Sequence, residues 1–256
     1  MRSGSPLRRV SVTVPGRRAE QARALMLELF PEGFEERDVG GDLELAAYTN
    51  AGGEERLSVA FGGARSAEVD GGWASRWRDY HRPVVVEPLW IGPPWLEPAP
   101  GLVPVVIDPG RAFGTGAHAT TRLSLGLLVG VEPASLLDIG CGSGVLAVAA
   151  ARLGFAPVTA VDFDPSAVEA TRRNADRNGA EVEVEQADAA ADELPAAEVA
   201  VANISLEAVE HILPRTRAGI ALASGYLESE RPVLPGFGHV ARRVAEGWAA
   251  DRFERE

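Results

Sequence analysis

The chain has no lysine. All 25 basic residues among its 256 are arginines, set against 37 Asp and Glu, for a formal net charge of −12. That balance argues against tight nonspecific binding to nucleic acid. An acidic surface would suit a basic partner, although on net charge alone solubility is the simpler reading. The single cysteine, Cys141, excludes an internal disulfide and a cysteine-built zinc site. No apolar run approaches the roughly 18 residues of a membrane span, and no charged, apolar and small-residue leader opens the chain. These absences lead us to expect a cytoplasmic protein with no membrane partner. No internal repeat or low-complexity tail is evident.

What is present centres on Leu136-Leu137-Asp138-Ile139-Gly140-Cys141-Gly142-Ser143-Gly144, read as a buried strand, a glycine turn and the first residues of a helix. The apolar run Val145 to Ala151 that follows fits a covered helix of a parallel α/β sheet. Alternating glycines let the backbone turn sharply and bring N–H groups and the positive helix end close to a nucleotide or carboxylate. Val145 stands where a dinucleotide fold usually has its third glycine, so the spacing leans away from NAD. Val158 to Val161 is a second apolar strand, ending at Asp162. This acid lies 22 positions after Gly140, near the separation of about 20 at which nucleotide-binding folds place a ribose-binding carboxylate. Asp164, before Pro165, is the better helix cap of the two acids.

Ahead of this core, the sequence predicts a strand from Arg8 to Val14, then a helix carrying Ala22, Leu25, Met26 and Leu29 on one face. A hairpin of Phe34 to Val39 and Leu43 to Thr49 follows, with a further strand over Leu57 to Phe61. These elements make a small α+β domain over residues 1–65. Residues 66–104 read as a linker broken by glycine and proline, with Trp73, Trp77 and Tyr80 at helical spacing and short strands at Val84 to Val86 and Leu89 to Ile91. The aromatics are expected to fasten linker to domain. Residues 105–256 form the larger domain.

Residues 105 to 121, VVIDPGRAFGTGAHATT, carry a second glycine loop that leads into a helix. Gly114, Thr115 and Thr121 offer backbone and hydroxyl donors near a helix start. His118 has no second His at metal spacing, so capping or positioning is expected of it and no metal. The apolar strand Val199 to Ala202 ends at Asn203, which is either a ligand-binding residue at a sheet edge or a helix cap.

Taken together, DPGRAFGTGAHATT, LLDIGCGSGVLAVAAARLG, VTAVDFDP and VANIS resemble the PrmA family, as does the W-x-x-x-W-x-x-x-x-x-P segment from Trp73 to Pro83. The family comprises bacterial methyltransferases that use S-adenosylmethionine to methylate the large-subunit ribosomal protein at the base of the stalk. The resemblance covers residues 72 to 229; the first 65 residues match in outline only, as the family's substrate-recognition domain. It implies a class I, Rossmann-like methyltransferase fold with a mostly parallel sheet and helices on both faces. It also implies a monomer that binds the ribosomal protein and does not bind nucleic acid directly.

The same resemblance puts Thr121, Gly140, Asp162 and Asn203 at the methyl donor, with Phe113, Gly114, Thr115 and Gly142 in the two glycine loops. Asp188, after the alternating stretch from Val182 to Val184, sits where such enzymes often bind adenine, or else is a turn residue. Asn203 is the candidate catalytic residue. An Asn here is often followed by Pro-Pro in related amine methyltransferases, whereas Ile204-Ser205-Leu206 is the pattern of PrmA-like sequences. The loop at Gly225-Tyr226-Leu227 resembles the family's loop over the active site. Val240 to Ala245 and Trp248 to Phe253 suggest a closing hairpin, although Ala249 to Arg252 is a poor strand. The rival readings are a methyltransferase with another acceptor and a nicotinamide-binding or noncatalytic module.

Overall fold

The computed structural model describes residues 8–30, 34–49, 51–68, 82–108 and 116–256. They fall in two compact units, residues 1–80 and 81–256. Trp73, Trp77 and Tyr80 lie outside the described residues.

In the first unit, β1 (Arg8–Pro15) leads through a short 3-10 turn to α1 (Ala19–Leu29), then β2 (Glu35–Val39), β3 (Asp42–Thr49), α2 (Ala51–Phe61) and β4 (Arg65–Glu68). The strands form an antiparallel sheet in the order β2-β3-β1-β4, the split βαβ arrangement. Val10, Val12 and Val14 alternate into a core with Ala22, Met26 and Phe30 of α1 and Leu43, Leu45 and Ala47 of β3. Leu25 and Leu29, on the flank of α1, are half-buried.

The strand expected over Leu57 to Phe61 is instead the second half of helix α2. Alternation would have put Leu57 and Val59 on one face, but Leu57 is 0% exposed and Val59 79%. Helical spacing joins Leu57 to Gly53, and both are buried. Gly52 and Gly53, poor helix formers, hid the first turn. The strand that does complete the sheet is the polar segment Arg65–Glu68, paired to the edge of β1.

The second unit begins with a three-stranded sheet of β5 (Val84–Val86), β6 (Leu89–Gly92) and β7 (Val103–Val106), in which β6 and β7 are parallel. Its main body is α3 (Ala119–Leu128), β8 (Leu136–Ile139), α4 (Val145–Arg152), β9 (Val158–Asp162), α5 (Pro165–Asn178) and β10 (Glu183–Gln186). These are followed by β11 (Val199–Asn203), α6 (Leu206–Ile212), β12 (Ile220–Leu227), β13 (Phe237–Ala245) and β14 (Trp248–Arg255). The seven strands run in the order β10-β9-β8-β11-β12-β14-β13. The first five are mutually parallel, and β14 is antiparallel to both of its neighbours. This is a class I methyltransferase fold.

Strand side chains alternate between two cores. Leu136, Ala160, Val199, Val201 and Leu222 face Leu146, Val148 and Val168 of the helices α4 and α5. Leu137, Ile139, Ala200, Ala202 and Ala223 face Val209 and Ile212 of α6 on the other side. Burial on both faces explains why these strands read as continuous apolar runs. No helix among the described residues is long and apolar enough to cross a membrane.

The poor strand propensity of Ala249 to Arg252 is overridden by a buried ion network. Asp251 is fully buried and accepts hydrogen bonds from Tyr226 Oη (2.9 Å), Arg242 Nη1 (2.9 Å) and His239 Nε2 (2.7 Å). Arg242 also donates from Nη2 to the carbonyls of Glu228 and Glu230, at 2.9 and 2.8 Å. Burial, and after it the neighbouring Asp251 charge, pushes the Tyr226 hydroxyl well above its ordinary range. One carboxylate thus ties β12, β13 and the turn after β12 together. Replacing Asp251 by Ala strands the Arg242 cation, and equilibrium urea unfolding should show a loss of about 3 kcal/mol or more.

Candidate active site

Strand order reverses between β8 and β11: from β8 the sheet grows through β9 to β10, and from β11 through β12 in the other direction. Loops leaving the carboxyl ends of these two strands diverge and open a crevice, the place where open α/β sheets bind ligands. Gly140 follows β8, while Asn203 and Asp162 end β11 and β9, so three of the expected site residues share one edge.

The glycine loop is held from three sides. Gly140, Gly142 and Gly144 have φ of 70°, 56° and 80°, in the left-handed region that a side chain disfavours. From β9, Asp162 Oδ2 accepts from Gly142 N (2.9 Å) and Oδ1 from Asp164 N (3.0 Å). A carboxylate has about four acceptor positions, so two remain for a vicinal diol. From α5, Thr171 Oγ1 donates to Gly142 O (3.1 Å) and Asn174 Nδ2 to Ser143 O (2.8 Å). From below, buried Asp138 accepts from Ala147 N at 3.0 Å. Gly144 is the N-cap of α4 and brings no side chain, so Asp138 supplies the missing acceptor for that helix end.

The second polar pair joins two distant segments. Asn203 Nδ2 donates to Thr121 Oγ1 at 3.4 Å, leaving the amide oxygen of Asn203 as an acceptor. Ser205 caps α6, taking Ala208 N, so the cap reading for Asn203 does not hold. Ile204 fixes Asn203 in place. A Cβ on Gly140 would lie 2.6 Å from Ile204 Cγ2, and one on Gly225 would lie 1.9 Å from Ile204 O, so both neighbours must be glycine.

His118 caps α3 with Nδ1 accepting from Thr120 N (3.4 Å), and its ring packs edge-on against Trp248. Burial, then the Arg122 charge, lowers its proton affinity, which keeps it neutral and able to accept. Burial pushes the Cys141 thiol well above its ordinary range, so it is a small filler and not a nucleophile.

Asp188 follows β10 as a turn residue: its Oδ1 accepts from Ala190 N (2.9 Å) and its own N–H goes to Asp192 Oδ2 (2.9 Å). One hydrogen bond within the turn thus orients the carboxylate and leaves it further acceptor capacity. Phe113, Gly114 and Thr115 lie outside the described residues. The segment preceding them is anchored by two asparagines of α5. Asn178 exchanges two hydrogen bonds with Val106, both 2.7 Å, and Asn174 accepts from Asp108 N at 3.0 Å.

Sequence reasoning missed Asp138, Thr171, Asn174, Asn178 and Phe163. The signal for the first four was polar residues where apolar ones were due, in a buried strand and on the inner face of α5. Phe163 stands 75% exposed between Asp162 and Asp164, a flat apolar surface beside the Asp162 carboxylate. Among the described residues no group of three or more His, Cys, Asp and Glu can hold a metal ion.

Burial raises the Asp138 carboxyl from its ordinary range to about 7; the Ala147 N–H opposes this and the Asp162 charge adds to it. The folded chain therefore holds this proton more tightly than the unfolded chain. Stability from this group is full below about pH 4 and declines up to about pH 7. Asp138→Asn removes that decline. Urea unfolding of the two proteins should diverge in favour of the variant as pH rises across this window, by about 1.4 kcal/mol per pH unit at most.

Residues 34–250 match a family model described as ribosomal protein L11 methyltransferase (PrmA). The ribosomal protein L11 methyltransferase of Aeromonas hydrophila is 43% identical over 177 residues, covering 64% of this chain and 60% of the relative. That of Symbiobacterium thermophilum is 42% identical over 198 residues, covering 70% and 64%. The matches thus span under two thirds of these relatives' own length. Among solved structures, a ribosomal protein L11 methylase from Lactobacillus delbrueckii subsp. bulgaricus superposes with a TM-score of 0.59 at 27% identity. It covers 69% of this chain and 100% of that one. A Pyrococcus abyssi tRNA (uracil-54, C5)-methyltransferase, solved with S-adenosyl-L-homocysteine, has a TM-score of 0.50 at 19% identity, covering 64% and 45%, and shares the fold alone.

Proposed function

This chain belongs to the ribosomal protein L11 methyltransferase (PrmA) family, and from that premise we propose that it methylates amines of ribosomal protein L11 with S-adenosylmethionine as donor. The observation that carries this is the convergence of two polar pairs, Asp162 with the glycine loop and Asn203 with Thr121, on the crevice where the strand order reverses. The residues fit the donor. Asp162 has acceptor capacity for the ribose diol, exposed Phe163 offers a face for the base, and the N-terminal end of α4 favours an amino-acid carboxylate. When bound, the donor supplies an activated methyl group on a sulfonium centre.

The residues of the chain then have a positioning task. The amide oxygen of Asn203 accepts a hydrogen from the acceptor amine and aims its lone pair, and Thr121 holds Asn203 in that orientation. In-line positioning of this kind is worth on the order of 7 to 11 kcal/mol in favourable cases. An α-amine, with a pKa of about 7.7 to 8.0, is partly neutral near pH 7, whereas a lysine near 10.4 must lose its proton on approach. We assign substrate recognition to the small first unit, which holds the domain expected at residues 1–65, and methyl transfer to the second unit, which takes in much of the expected linker at 66–104 together with residues 105–256. We further assign a monomeric, cytoplasmic enzyme that does not bind nucleic acid directly.

Calorimetry should detect S-adenosylhomocysteine binding and no NAD binding. Mass spectrometry of L11 from cells with and without the gene should differ by whole methyl groups; unchanged L11 with donor binding intact would point to another acceptor. Asn203→Ala should lower turnover at least tenfold while donor affinity changes little, since the nitrogen gains positive charge as the methyl transfers and a hydrogen bond to a charged group is worth about 1.5–3 kcal/mol. Equal turnover in the variant would remove Asn203 from this role.

A further inference from the structure

We propose that Arg215, an exposed arginine of the second unit, is a positioning residue for the base of the donor, acting through the loop after β10. This rests on the donor assignment above. With the reacting end at Asn203 and Thr121 and the ribose at Asp162, the base lies further along the same edge, past β9 and toward β10. The first residue after β10 confirms that adjacency, because Ala187 N donates to Asp162 O at 3.0 Å.

The loop that begins there has no helix or strand to hold it. Its turn is closed locally by the Asp188 and Asp192 side chains and by Ala191 N and Asp192 N donating to Asp188 O, at 2.9 and 2.8 Å. Ala187, Ala189 and Leu194 pack against the core, and the polar anchor of the turn from outside is Arg215, in the 3-10 turn Leu213–Arg215 after α6. Its Nη1 donates to Ala189 O (2.7 Å) and Ala190 O (2.5 Å), and its Nη2 to Asp192 O (3.1 Å). Three carbonyls of one turn converge on one guanidinium, whose planar fork can address several acceptors at once where a lysine ammonium offers a point charge.

Because Ala190 N holds Asp188 Oδ1 at 2.9 Å, the shape of the turn sets where both this carboxylate and the backbone beside it meet the base. Without Arg215 the loop samples more conformations, and ordering it on binding costs affinity. The neighbouring Arg217 provides a matched control. It carries the same charge and pairs with exposed Glu193 at 3.1 Å, away from the carbonyls of the turn.

The test is calorimetry on the full chain with S-adenosylhomocysteine and with its hypoxanthine counterpart, S-inosylhomocysteine, which differs only at the base. Arg215→Ala should weaken S-adenosylhomocysteine binding about tenfold and shrink the preference for adenine over hypoxanthine, with an unchanged melting temperature. Arg217→Ala should bind both ligands like the unaltered chain. Unchanged affinity in Arg215→Ala, equal weakening toward both ligands, or the same loss in Arg217→Ala would overturn the inference while the donor assignment stands. Failure of the unaltered chain to bind S-adenosylhomocysteine would instead overturn the donor assignment, and this inference with it.

Discussion

The hydrogen bond from Gly142 N to the Asp162 carboxylate joins the ends of two parallel strands. It exists because β8 and β9 are neighbours in register, so that the loop leaving one strand passes the last residue of the other. Three left-handed glycines give that loop its path, and the carboxylate ties its middle residue to the end of β9. Everything at the crevice is placed relative to this junction. The start of α4 is set by the loop, and its capping acceptor comes from Asp138, one strand position behind.

The other side of the crevice is built by exclusion. Ile204 is pressed between Gly140 and Gly225, two positions where a side chain would collide with it. Asn203 therefore emerges at the end of β11 with little freedom, and Thr121 holds its amide. Behind Gly225, Tyr226 is bonded to the buried Asp251, which also holds Arg242 and through it the turn after β12. A buried polar network under an apolar sheet half thus supports the Asn203 side, while the glycine-loop side is supported by the asparagines and Thr171 of α5.

Much of this was legible along the chain. The parallel core strands declared themselves by continuous apolar runs, α5 by Asp164-Pro165, and the site edge by acids and amides at strand ends. Two features were misleading. Gly52-Gly53 masked a helix whose buried residue, Leu57, also fits a strand pattern, and Ala249 to Arg252 read as a poor stretch within the expected last strand, which Asp251 holds in place. Both cases share one cause. Local propensity weighs less than the burial and charge pairing that a residue finds once distant segments meet.

The sequence by itself determined which residues have polar ends and where turns must be glycine, because backbone sterics and hydrophobic periodicity act over a few residues. Together with the family resemblance, this marked Gly140, Asp162, Thr121 and Asn203 as candidates. Only the tertiary structure decided which partners the polar groups would have: that Asn203 meets Thr121 across 82 residues, that Asp188 Oδ1 accepts from Ala190 N, and that Arg215 grips three carbonyls. Hydrogen bonds and charge pairs depend on distances of a few ångströms between segments far apart in the chain, and the order of strands in the sheet sets those distances.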